Sequence, residues 1–266
     1  MLTERSARVV AAVKLHRHVA RKRDRRFLAE GSNLVEAAIG RGLVVEIFAT
    51  EAAAQRHQPL LASARVPIHL VTDRAAKALS DTVTPAGLFA VCTQLEADLA
   101  TALAGTPRLV AIAVGIGEPG NAGTLMRIAD ATGADLVVLT GNSVDPYNGK
   151  CLRASAGSIF NVPVVVVADA EEVLSAVARA GLQVLATALD GELCLDDADP
   201  VLPAPTAWLF GPEAQGLAPR IAADADHRVR IPMSGGAESF NVAAAAAICL
   251  YQSARAQRRS GSFSAG

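Results

Sequence analysis

Apolar residues fall into short runs divided by polar and turn residues, and their spacing alternates between two modes along the chain. Residues 43–50, 67–71 and 87–92 carry compact aliphatic and aromatic runs that predict strands. Between them, 51–63 and 73–79 carry helical spacing. Residues 27–94 thus read as a small α/β unit. Residues 95–107 lack strand character and close on Ala104-Gly105-Thr106-Pro107, a turn sequence that predicts a domain boundary. Beyond it the alternation strengthens. Strands are predicted at 108–114, 136–140, 162–167, 182–187, 207–210 and 229–231, and helices at 123–132, 170–180 and 239–256. Runs such as Val164-Val165-Val166-Val167 are apolar on both faces, as a parallel sheet covered by helices on each side requires. The pattern predicts an α/β protein of two domains, 1–98 and 106–266.

Composition narrows the function classes. The 266 residues are 51% hydrophobic and 19% charged, with a formal net charge of −1. This excludes a wholly disordered chain and a globally basic coat for nucleic acid. The sum hides a local imbalance. Residues 1–30 hold nine Lys and Arg against Glu4, Asp24 and Glu30, a local charge of +6 that leaves −7 for the rest. Such a segment is a candidate for phosphate contacts, although for any single arginine a solvated helix face is the plainer reading. Aromatic residues are only 4%, too few for a base-stacking platform. Cys92, Cys151, Cys194 and Cys249 form no CxxC pair, which argues against a zinc ribbon or a thioredoxin motif and suits a reducing compartment. The five histidines show no ligand spacing, so no metal is expected. Residues 9–13 are too short an apolar stretch for a signal peptide, and the longest run, 242–251, is half the roughly 20 residues of a membrane span. A soluble cytoplasmic protein is expected.

Three segments carry candidate chemistry. Gly115-Ile116-Gly117-Glu118-Pro119-Gly120 matches a dinucleotide fingerprint between strand and helix. Its proline and the absence of a carboxylate after the next strand weaken that reading. Asn121-Ala122-Gly123-Thr124-Leu125-Met126-Arg127 follows, where Asn121 alone reads as a helix cap and Arg127 as an exposed helical charge. Leu209-Phe210-Gly211-Pro212-Glu213-Ala214-Gln215-Gly216-Leu217 runs from a strand into a glycine-bracketed loop, and Glu213 alone reads as a carboxylate at a helix N-terminus. Ile231-Pro232-Met233-Ser234-Gly235-Gly236-Ala237-Glu238-Ser239-Phe240-Asn241-Val242-Ala243 reads as strand, loop and alanine-rich helix, with Ser239 or Asn241 as cap.

In this order and spacing the segments resemble the SpoU (TrmH-like) family of RNA ribose 2′-O-methyltransferases, in the SPOUT superfamily. The resemblance runs from about Pro107 to Gln252 and includes Lys150-Cys151-Leu152-Arg153-Ala154-Ser155-Ala156-Gly157-Ser158. With its small N-terminal α/β domain, the layout is similar to rRNA methyltransferases of the thiostrepton-resistance type. Phe240 stands where the family usually has leucine, and Pro212 where a small polar residue is common. The resemblance implies a SPOUT-type parallel sheet whose C-terminal segment is threaded as a deep trefoil knot, preceded by an RNA-binding domain. It implies S-adenosylmethionine held largely by backbone groups, with Leu209, Gly211, Gly216, Ile231, Met233, Ser239 and Phe240 at the cofactor. Backbone recognition would account for the lack of an evident acidic residue for a ribose. It places Arg127, Asn121, Glu213 and Asn241 at the catalytic centre, and implies an RNA substrate, rRNA before tRNA, and a homodimer. Two other readings stay open on the residues themselves: an NAD(P)-dependent oxidoreductase using the glycine loop, and a non-catalytic RNA-binding factor of ribosome assembly.

Overall fold

The structure, a computed structural model, describes residues 1–95, 97–212 and 215–263. In chain order the elements begin α1 (Ala7–Lys14), α2 (His18–Asp24), β1 (Arg26–Glu30), α3 (Ser32–Gly40), β2 (Val44–Ala49), α4 (Glu51–Arg56), α5 (Gln58–Ser63), β3 (Ile68–Leu70), α6 (Asp73–Leu79) and β4 (Leu88–Thr93). They continue α7 (Leu99–Ala104), β5 (Leu109–Val114), α8 (Pro119–Thr132), β6 (Leu136–Thr140), α9 (Gly149–Ser155), β7 (Val164–Val167), α10 (Ala170–Arg179) and β8 (Gln183–Thr187). The last are β9 (Leu193–Cys194), β10 (Thr206–Phe210), α11 (Pro219–Ala223), β11 (His227–Arg230) and α12 (Val242–Phe263). The chain divides into two compact units, Met1–Glu96 with Asp145–Phe160, and Ala97–Val144 with Asn161–Gly266. The first unit thus includes a later segment that the hydrophobic pattern did not assign to it.

In the first unit the described strands form a sheet of order β1-β4-β2-β3, with β4 antiparallel to both neighbours and β3 parallel to β2. Strand β1 was hidden in the sequence by the arginines before it, yet Phe27, Leu28 and Ala29 are all buried. The helix predicted over 51–63 is two helices. Pro59 occupies the first turn of α5, where its missing N–H costs nothing; one continuous helix would have lost a bond there. The core gathers Val9, Leu15, Phe48, Leu79, Phe89 and Val91.

Arg21 departs from the basic-surface reading. It is 3% exposed. Its guanidinium donates to the carbonyls of Leu15 (2.9 Å) and His16 (2.8 Å) and to the Asp145 carboxylate (2.8 Å from Nε, 2.6 Å from Nη2). It ties the turn between α1 and α2 to the start of the 145–160 segment. The same segment is fixed by Tyr147, whose hydroxyl donates to Leu95 O (3.2 Å) and whose ring lies 4.8 Å from that of Phe27. The other eight basic residues of the first 30 are exposed.

In the second unit the described strands form a fully parallel sheet of order β7-β6-β5-β10-β8-β11-β9. Strands β5, β6 and β10 are buried along their whole length, because helices cover both faces. Alternation along β10 shows it. Leu209 joins Val110, Ile112, Val138 and Val184 on one side, while Trp208 turns to the other and donates from Nε1 to Ser253 Oγ of α12 at 2.9 Å. Helix α8 starts four residues before the predicted 123, because the Glu118 carboxylate caps it by accepting from Gly120 N–H (3.1 Å) and Pro119 sits at its first position. Helix α12 packs on α8, β5 and β10, so after β11 the chain returns to the middle of the sheet.

Candidate functional site

In a parallel α/β sheet the loops leaving the C-terminal strand ends converge, and ligands bind there. Here the loops after β8, β10 and β11, with the start of α12, enclose a cavity of about 620 Å³. Among the described residues its walls include Leu217, Ile231, Met233 and Phe240, which are apolar, and the backbone of Gly211 and Gly216. Both glycines are demanded by the loop. A Cβ on Gly211 would lie 2.7 Å from Leu217 N, and Gly216 has φ +63°, a left-handed conformation.

Six of the seven cofactor candidates, Gly211, Gly216, Ile231, Met233, Ser239 and Phe240, line this cavity. Leu209 does not. Its side chain is fully buried in the sheet core, and only its carbonyl reaches a residue that lines the cavity, accepting from Oγ1 of Thr187, the last residue of β8, at 3.0 Å. The alternation along β10 forces this outcome, since a strand residue buried under a covering helix cannot also face a loop cavity.

Asn241 begins α12 as its cap. Its Oδ1 accepts from the N–H groups of Ala243 (3.0 Å) and Ala244 (3.4 Å), and its Nδ2 donates to Asn121 Oδ1 at 3.1 Å. One side chain therefore fixes the entry of α12 and reaches α8, 120 positions earlier in the chain. Asn121 is not the cap of α8, which is Glu118; it sits in the first turn and meets Asn241 from there. Neither asparagine lines the cavity itself; Asn241 adjoins its edge through the next residue, Val242, and holds Asn121 there by their hydrogen bond. Arg127 is not drawn in. It lies about 9 Å further along α8 and about 240° around it from Asn121. It is exposed and has no hydrogen-bond or ion-pair partner among the described residues. Glu213 lies outside the described residues.

The cavity also holds charged groups that the sequence pattern did not single out. Asp190, three residues past β8, and Arg228, on β11, both line it. Arg228 Nη1 donates to Asp190 Oδ2 (3.1 Å), its Nε to Glu192 Oε2 (3.1 Å), and its backbone N–H to Glu192 Oε1 (2.8 Å). That backbone N–H, first among several hydrogen bonds, holds the Glu192 carboxyl below the usual carboxylate range. The only sequence signal was a carboxylate before Gly191 at a strand end.

The glycine loop 115–120 does not offer a pyrophosphate site. The N–H of Gly120 is taken by the Glu118 carboxylate, a negative group where a phosphate would sit. Among the described residues no group of three or more His, Cys, Asp or Glu is placed to hold a metal ion, and no helix is long and apolar enough to cross a membrane.

Known proteins with this arrangement agree in sequence and in fold. Residues 108–251 match the model of the SpoU rRNA Methylase family, and residues 7–90 that of the MRM3-like substrate binding domain. The 23S rRNA (guanosine(2553)-2′-O)-methyltransferase RlmP of Bacillus subtilis is 34% identical over 241 residues, 90% of this chain and 92% of the relative. The solved structure of the SpoU methyltransferase AviRb from Streptomyces viridochromogenes, in complex with the cofactor AdoMet, superposes with a TM-score of 0.84 at 29% identity, covering 96% of this chain and 100% of that one. An AdoMet-bound rRNA methyltransferase from Sinorhizobium meliloti superposes with a TM-score of 0.81 at 27% identity, over 94% and 95% of the two chains. A parallel α/β sheet closed by α12, matched in sequence across both of its asparagine-bearing segments, is the SPOUT arrangement, and the chain belongs to the SpoU rRNA methylase family.

Proposed function

We propose that this protein is an S-adenosylmethionine-dependent methyltransferase that methylates a ribose 2′-hydroxyl of rRNA. The observation that carries the reading is the cavity at the strand ends with the Asn121–Asn241 pair at its edge. Its volume falls within the range of small-molecule sites, roughly 300–1,000 Å³. Leu217, Ile231, Met233 and Phe240 suit the faces of a purine. Gly216 leaves bare backbone beside it, with nothing within 4 Å of where a Cβ would stand. The residues present therefore fit an adenosyl ligand.

S-adenosylmethionine supplies a methyl group on a sulfonium, a good leaving group, so the protein's work is on the acceptor. The Asn121–Asn241 hydrogen bond holds the starts of α8 and α12 in register and fixes the cavity edge where the acceptor enters. Arg127 stabilises the oxyanion developing at the 2′-oxygen and orients the adjacent phosphate; with a pKa above about 12 it is a poor base. Its exposure supports an active site completed at a subunit boundary, and a homodimer is part of this reading. So is the knot, in which the segment after β11 passes through a loop on its way back to the middle of the sheet. The unit built on Met1–Glu96 grips the RNA through its exposed basic residues, as the match to a substrate binding domain supports. The place of action is the cytoplasm.

The test is single-turnover methylation of rRNA at saturating donor, with 2′-O-methylation mapped in rRNA from cells with and without the gene. Arg127→Ala abolishes transfer while donor binding and fold persist, and Arg127→Lys is severely impaired because it loses the planar fork. A lysine variant within a few-fold of wild type would remove Arg127 from catalysis. An unchanged rRNA methylation map on deletion would remove rRNA as substrate.

A further inference from the structure

The family reading leaves the donor's ribose to backbone groups, yet the cavity contains a carboxylate. Among the described lining residues Asp190 is the one acid and Arg228 the one cation. We propose that Asp190 recognises the ribose of the methyl donor, its carboxylate accepting hydrogen bonds from the vicinal 2′- and 3′-hydroxyls. The inference rests on the donor reading above and assigns it a side chain.

Asp190 is held on a built turn. Ala188 N–H donates to Val229 O (3.0 Å) and Gly191 N–H to Ala188 O (3.3 Å), so the loop after β8 is pinned to β11. The approach is so close that a Cβ on Gly191 would lie 2.6 Å from Arg228 O and 2.8 Å from Arg230 N. The carboxylate itself is oriented by Arg228, whose other edge is already occupied by Glu192. An ionised carboxylate has about four lone-pair sites, and Arg228 Nη1 takes one. What remains is a partly neutralised acceptor at the open rim of the cavity, its side chain 81% exposed and so within reach of a ligand's hydroxyls. A neutral group with two adjacent O–H donors satisfies it without adding charge, and a nucleoside diol is such a group. Strand-end carboxylates meet ribose hydroxyls by the same chemistry in other nucleotide sites. The ammonium of the donor's amino-acid end is the competing occupant, and the experiment separates the two.

Binding is measured by calorimetry on the full chain, without RNA, using S-adenosylhomocysteine, its 2′-deoxy and 3′-deoxy analogues, and 5′-methylthioadenosine, which keeps the nucleoside and lacks the amino acid. Asp190→Ala weakens S-adenosylhomocysteine and 5′-methylthioadenosine alike, by about 10- to 100-fold, the scale of hydrogen bonds to a charged group. Removing one ribose hydroxyl weakens binding to wild type but changes little for the variant. Asp190→Asn, which keeps an acceptor and the loop, falls between. Loss for S-adenosylhomocysteine with none for 5′-methylthioadenosine would move Asp190 to the amino-acid end and overturn the proposal, as would equal losses for the ribose and deoxyribose ligands. Wild-type protein that binds none of these ligands would overturn the donor reading itself and this inference with it.

Discussion

Arg21 provides a test that separates structure from RNA binding inside one basic segment. By sequence it is one of nine equivalent cations; in the fold it is a buried clamp. Replacing it with methionine keeps most of the aliphatic stem and deletes the guanidinium. Asp145, whose side chain is 15% exposed, then loses its guanidinium partner and keeps the Tyr147 N–H (2.9 Å) and the more distant His18 ring (3.9 Å), and the carbonyls of Leu15 and His16 lose their donors. Breaking a buried pair by removing one partner costs about 3–5 kcal/mol, and partial exposure of Asp145 puts the expected loss toward the lower end. That is a large share of a typical total of about 5–15 kcal/mol. Arg21→Lys restores one charge without the fork and recovers only part of it. The contrasting variant changes Arg17, Lys22 and Arg26 to glutamate, all exposed. Each of those costs within about 0.5 kcal/mol of stability, while RNA affinity falls and its salt dependence flattens. Urea unfolding followed by far-UV circular dichroism, with hydrogen exchange across residues 7–30, reads the first effect; filter binding at several salt concentrations reads the second. If Arg21→Met left stability within 0.5 kcal/mol of wild type and lowered RNA affinity as the triple variant does, the clamp would be refuted and Arg21 would rejoin the RNA-facing set.

Two further outcomes follow from the geometry. Asn241→Ala loses both a cap and a cross-helix bond and costs about 1–2 kcal/mol, while a double-mutant cycle with Asn121→Ala yields a coupling of about 1 kcal/mol in urea unfolding; zero coupling would show that the 3.1 Å contact contributes nothing. Burial pushes the Cys151 thiol up from 9.0 to about 12 and the Tyr147 hydroxyl up from 10.0 to about 12, so both stay protonated in the fold while the unfolded chain ionises first. Their contribution to stability is complete below pH 9 and is lost as pH rises toward 12, so urea midpoints should fall across that window, and a flat or rising midpoint would contradict the burial of both groups.

How much of this was legible in the chain depended on whether a feature was local. Strands β5, β6, β8 and β10 were visible because a buried parallel strand is apolar along most of its length; β7 read the same way, yet it lies at the sheet edge and Val166 is 58% exposed, so an apolar run did not guarantee burial on both faces. The two-residue β9 and the five-residue α11 carry too few positions to show a period. Strand β1 was masked because Arg25 and Arg26 dominate the reading of the residues beside them, although burial begins at Phe27. At the site, the motif order brought Asn121 and Asn241 together, and Asn241 caps α12 as one of the two expected caps; the cap expected of Asn121 is instead Glu118, with Asn121 bonded across to Asn241. Asp190 was passed over because a single carboxylate before a glycine is common. Its meaning comes from the pairing of β8 with β11, which places it beside Arg228, 38 positions later.

The same geometry explains why one candidate stands apart. Helix α8 carries Asn121 toward α12 and buries Ala122, Leu125, Met126 and Ala129. With 3.6 residues per turn, a side chain six positions after Asn121 cannot share its direction. Any residue at 127 must therefore leave the cavity edge that Asn121 helps to form, whatever its chemistry. Arginine is the residue that tolerates such a place, since its long stem and fixed charge act at a distance from its own backbone. An acceptor that enters past Asn121 and Asn241 would meet Arg127 only from outside this chain's own cavity. If Arg127 acts as proposed, the substrate's phosphate or the surface of a second copy would bring the two together. On the proposed role of Arg127, the catalytic arrangement would be assembled by binding rather than preformed within one chain. It follows that loss of Arg127 should leave the empty protein as stable as before and appear only in turnover with RNA.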